Sequence, residues 1–151
     1  MSEAYEDKLA KLRREIETGD ARPAVIDTLV SELFTDGDER LPSGLLSLLS
    51  DNTEYDEGMF SLIHAAESCD DTVYVRALLS VFPHVASSAP RWASIVLMRV
   101  LNSGTAQSEL VRQLRDAPTS VKDSVREVCR RINEVSPQFL SKTVPVTIAS
   151  C

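Results

Sequence analysis

Between Leu41 and Val75 the sequence contains no lysine and no arginine, although seven acids fall there. Over its full 151 residues it has two histidines, five glycines and three cysteines, and aromatic residues make up 5%. Each scarcity excludes something. The cysteines, Cys69, Cys129 and Cys151, are odd in number and form no C-x-x-C pair, which argues against a disulfide framework or a thiolate metal knuckle. A reducing cytoplasm is the expected setting. No apolar stretch approaches the ~20 residues of a membrane span, and the acidic start Met1–Asp7 lacks the basic and apolar segments of a signal peptide. No membrane association is expected.

Catalytic signatures are equally scarce. A phosphate-binding glycine loop, a nucleophile elbow and an H-E-x-x-H zinc motif are all missing. His64 precedes Glu67 by one helical turn and reads as a helix-surface imidazole with a carboxylate neighbour. His84 follows Pro83 and reads as part of a helix-end loop. No enzyme, metal site or cofactor is expected.

What the sequence does have is helix periodicity. Leu9, Leu12 and Ile16 mark a first helix over 3–18, stopped by Gly19, with Asp20 opening the next segment. The second runs from Arg22 to Phe34, with Pro23 in its first turn, and a short third one from Pro42 to Leu49. The fourth is read over 55–68, capped from Asp51–Glu54, and the fifth follows the cap Asp70-Asp71-Thr72 and ends at Pro83. The sixth, opening at Pro90, is apolar almost all round from Trp92 to Leu101, as suits the middle of a bundle. Asn102-Ser103-Gly104 closes it, and 108–115 and 120–135 supply the last two. The pattern predicts an all-α domain of about eight short helices over 1–136. Its architecture is either an irregular, HEAT-like stack of α-hairpins or a compact bundle. Residues 137–151 show no period, and Pro145 argues against a central strand, so they read as a surface tail.

The formal net charge is −7, but it is unevenly spread: −5 over residues 1–40, −7 over 41–75 and +4 over 76–134. Such a chain attracts basic partners and speeds their encounter. Direct nucleic-acid binding needs clustered Lys and Arg and is not expected. Carboxylates at helix starts are ordinary, since they oppose the helix dipole. That explains single residues among Asp51, Glu54, Asp56, Glu57, Glu67, Asp70 and Asp71 better than it explains 35 residues without one base. These seven, with Tyr55 and Tyr74 as aromatic anchors, form the candidate partner-binding set. If the fourth and fifth helices form a hairpin, Glu67, Asp70 and Asp71 lie at its turn. Asp51–Glu57 then lie about 20 Å away. Trp92, at the head of an apolar helix, reads as core. Taken alone, the residues fit a generic acidic helical adaptor for another protein, acting as a monomer.

One combination of segments narrows this. Leu45-Leu46-Ser47-Leu48-Leu49-Ser50-Asp51 leads into Tyr55-Asp56-Glu57-Gly58-Met59-Phe60-Ser61-Leu62-Ile63-His64-Ala65-Ala66-Glu67. Tyr74-Val75-Arg76-Ala77-Leu78-Leu79, Pro90-Arg91-Trp92-Ala93 and Met98-Arg99-Val100-Leu101-Asn102-Ser103 follow. Together they resemble the bacterial immunity protein family thirty over residues 41–134. The resemblance implies an all-helical cytoplasmic protein that binds and blocks the C-terminal domain of a cognate polymorphic toxin, as in contact-dependent growth inhibition. Many such toxins are nucleases, whose basic faces an acidic inhibitor would match. The shared positions Phe60, His64, Glu67, Arg91, Trp92 and Arg99 are expected mainly to hold the fold. Arg99, inside the most apolar helix, is expected to pair with an acid such as Glu67.

Overall fold

A computed structural model describes residues 2–18 and 21–151. Among them are nine α-helices, a single 3-10 turn and no strand. The stop expected at Gly19 and the opening expected at Asp20 lie outside the described residues. The chain groups into two compact units, 1–69 and 70–151.

The first unit holds α1 (Ser2–Glu17), α2 (Pro23–Asp36), α3 (Leu41–Leu46) and α4 (Glu57–Glu67). The helices α1 and α4 both lie against α2, and α3 lies against α4. Leu12, Ile26, Leu33, Leu45, Leu46, Met59, Leu62 and Ile63 are fully buried there. At ~25 cal/mol per Å² of apolar surface, burying each contributes on the order of 1.5–3 kcal/mol. Pro23 opens α2, where its missing N–H costs nothing. Gly37 closes α2 with φ 69°, and its N–H returns to the Leu33 and Phe34 carbonyls.

The second unit holds α5 (Asp71–Ser88), α6 (Pro90–Leu101), α7 (Gly104–Leu114), α8 (Thr119–Val135), the 3-10 turn Pro137–Phe139 and α9 (Leu140–Ala149). The apolar helix α6 lies against α5, α7 and α8, the central place its composition predicts. Trp92 is wholly buried at its head.

Three sequence expectations are corrected. Pro83 lies inside α5 rather than ending it, and His84 is therefore helical. A proline there forfeits one backbone bond and costs ~3 kcal/mol. Burial of Phe82 and Val85 on either side carries the helix through. Ser103-Gly104 begins α7 instead of only closing α6: the Ser103 hydroxyl accepts from the Ala106 N–H at 3.4 Å. The aperiodic tail is a helix, α9, lying on α7 and α8 with Val146 and Thr143 buried. The Thr143 hydroxyl donates to Asn133 Oδ1 at 2.8 Å, and the Gln107 side-chain amide donates to the Lys142 carbonyl at 2.8 Å. With Pro145 in its interior, α9 owes its form to this docking rather than to propensity.

Candidate functional site

The acids of the first unit set its character. Residues 1–69 carry 16 acids against 6 bases, a net of −10. Among the described residues, three of the six bases are spent on ion pairs inside the unit: Lys8 with Asp36, Arg22 with Glu15, and Arg40 with Asp38 and Glu6.

The α1–α2 corner is rigidly built. Ala21, fully buried, adopts φ 50°, a left-handed conformation costly for any residue with a Cβ. Its N–H donates to the Glu15 carbonyl at 3.1 Å. Next in the chain, Arg22 gives the Glu15 carboxylate three bonds. Its backbone N–H and Nε–H reach Oε2 at 2.9 and 3.0 Å, and its Nη2 reaches Oε1 at 2.7 Å. The Glu15 side chain is only 7% exposed, so the charge-assisted bonds work in a sheltered setting.

The first turn of α4 is pressed onto this corner. A Cβ at Gly58 would lie 2.6 Å from Ile26 Cδ1 and 2.8 Å from the Ala21 carbonyl oxygen, so only glycine permits the approach. The approach fixes the segment just before it. Glu54, Tyr55 and Glu57 line one groove of about 490 Å³, whose other wall is Arg22 and Pro23 at the start of α2. All three are exposed, and Tyr55 shows 53% of its surface. An exposed aromatic between two carboxylates can stack on a cation while the carboxylates accept its hydrogen bonds.

The other candidates are placed differently. Asp51 and Asp56 are half-buried in the turns leading to α4, which starts at Glu57 rather than at Tyr55. Glu67 is half-buried at the end of α4, one helix length of about 15 Å from Glu57. Asp70 is exposed and caps α5, its carboxylate accepting from the Val73 N–H at 2.9 Å, and Asp71 opens that helix half-buried. Tyr74 is 4% exposed and is corrected to a core residue: in α5 it presents no surface to a partner. The hairpin expected to bring Glu67 to Asp70 and Asp71, and the expected pairing of Glu67 with Arg99, cross from one unit to the other and stay expectations.

Sequence reasoning missed Arg22 and Pro23 as the facing wall. Pro23 at the first turn of α2 signals a helix start, and nothing in its spacing points to the groove. Sequence reasoning also missed a second groove, of about 790 Å³, along α1 and α2. His64, exposed on α4, lies against the Phe60 ring at a centroid distance of 6.2 Å. No group of three His, Cys, Asp or Glu among the described residues is arranged to hold a metal, and no helix among them is long and apolar enough to cross a membrane.

Fold and site define an all-α protein whose first unit offers an acidic, aromatic-bearing surface. The chain belongs to the immunity protein 30 family, whose sequence model matches residues 11–110. That match begins 30 residues earlier than the stretch 41–134 and so takes in the end of α1 and all of α2, including Arg22 and Pro23. Comparison with curated proteins gave no match, and neither did comparison with solved structures.

Proposed function

We propose that this chain binds the C-terminal domain of a cognate bacterial toxin in the cytoplasm and neutralises it, and that the toxin is a nuclease. Membership of an immunity protein family carries the reading, and the net charge of −10 on the first unit supports the choice of a basic, phosphate-handling partner. The acids draw the basic face in. Tyr55, Glu54 and Glu57 then anchor it in a groove whose walls are set before binding, so little ordering entropy is lost. Nanomolar or tighter affinity with fast, salt-sensitive association is expected of such a surface. Polymorphic toxin systems, including contact-dependent growth inhibition, are the setting this implies. The chain acts by occupying a surface and carries out no chemistry of its own.

The test is co-expression with the toxin encoded beside this gene. Its C-terminal domain should stop growth alone, lose that effect beside this chain, and be retained by it in a pull-down. Tyr55→Ala with Glu54→Gln and Glu57→Gln should weaken binding at least tenfold and restore toxicity. A neighbour that neither binds nor kills would sink the reading. Full protection by the triple variant would move the contact elsewhere.

A further inference from the structure

A groove of about 790 Å³ runs along α1 and α2 in the first unit. It falls within the range of ligand-binding clefts. Its floor is the half-buried Val25 and Leu29, its rim carries exposed Lys11, Arg14 and Ala24, and the Arg22–Glu15 clamp also lines it. Lys11 and Arg14 are exposed and take part in no ion pair among the described residues. A solvated helix face would account for two bases one turn apart on α1. It would not account for an apolar floor beneath them.

We propose that this groove takes an acidic segment of the toxin, one that seats an apolar side chain on Val25 and Leu29 and sets its carboxylates against Lys11 and Arg14. The inference rests on the toxin-binding reading above and adds a contact of opposite sign to it. Charge complementarity selects the occupant: a cationic rim over an apolar floor rejects the basic toxin surface that Glu54 and Glu57 attract. Two poles of opposite charge on one unit admit a partner in one orientation only, which is how charged interfaces fix register. The clamp holds its part of the groove's lining in place before binding, because Glu15 is already saturated by Arg22.

The experiment measures affinity of the purified toxin C-terminal domain for the full chain, for Lys11→Glu/Arg14→Glu, and for Arg115→Glu/Lys122→Glu. The last carries the same charge change in the second unit. Lys11, Arg14 and Lys122 stand on exposed or half-exposed helix positions, and Arg115 is exposed in the turn after α7. The groove variant should bind at least tenfold more weakly at low salt, and the matched variant within about twofold of the parent. Lys11→Gln/Arg14→Gln should fall between. Equal losses in the two charge-reversed variants would reduce the effect to the overall field and overturn the proposal. So would unchanged toxin affinity in the groove variant, including the case where that variant loses binding to laurate, which would mark a small-amphiphile site. If the parent chain itself fails to bind, the toxin-binding reading falls instead.

Discussion

Gly58→Ala tests how tightly the site is built. In an ordinary helix the change is favourable by ~0.5–1 kcal/mol. At this position the new methyl carbon would meet Ile26 Cδ1 at 2.6 Å and the Ala21 carbonyl oxygen at 2.8 Å. The first contact is the end of a side chain, but Ile26 is fully buried and has nowhere empty to turn. The second is backbone, held by the left-handed Ala21 and by the bonds Arg22 makes to Glu15. Overpacking of this kind costs ~1–3 kcal/mol, so after the propensity gain a net loss of about 1–2 kcal/mol is expected. For a chain of this length that lowers Tm by about 3–6 °C. Gly104→Ala is the control, since its Cβ would meet nothing within 4 Å and its backbone is helical. It should be neutral or stabilising by up to ~0.5 kcal/mol. Calorimetry with toxin binding on the same samples reads both effects. Gly58→Ala melting at or above the parent temperature would refute the picture of α4 pressed on the α1–α2 corner.

Acid should weaken the fold through two carboxylates on the surface. Bonds from the Arg40 side chain and N–H hold the Asp38 carboxyl at about 2, and bonds from Arg112 and Gln113 hold that of Glu109 at about 2. Both values are depressed, so their contribution is complete above the ordinary carboxylate range and is lost as pH falls from about 4.5 towards 2. Asp38→Asn and Glu109→Gln should each flatten the fall of Tm across that window, and an unchanged slope would refute the assignment. Thiol labelling at pH 8 should modify exposed Cys151 in the folded protein and spare Cys129, whose thiol burial pushes up to about 12. Cys129 should react once denaturant is added, and labelling before unfolding would contradict its burial.

Helix type and order were legible from the sequence because apolar spacing is local, and α2, α6 and α8 lie within two residues of where the pattern put them. Pro83 and Pro145 were misjudged for one reason. A proline rule weighs the backbone alone, whereas burial of Phe82, Val85 and Val146 outweighs it, and such burial depends on neighbours far along the chain. The candidate site divides similarly. Glu54, Tyr55 and Glu57 are close in sequence and share a groove, so their juxtaposition could be expected from spacing. Tyr74 was misplaced because a half-apolar aromatic reads alike as anchor or core. The second groove was not legible, because Lys11 and Arg14 of α1 meet the half-exposed Val25 and Leu29 of α2 only in the fold.

The proline inside α5 also bears on the order in which the second unit assembles. Residues 84–88 follow a missing amide, and isolated turns of that length do not persist. What holds them is Val85, buried, and the single buried residue Ala89, whose N–H returns to the Val85 carbonyl at 2.7 Å before Pro90 opens α6. The last turn of α5 is therefore expected to form together with α6. Amide exchange should show the protected hydrogens of that turn opening with those at the start of α6 and apart from the first three turns of α5, so that the cooperative boundary falls at the proline and not at the loop.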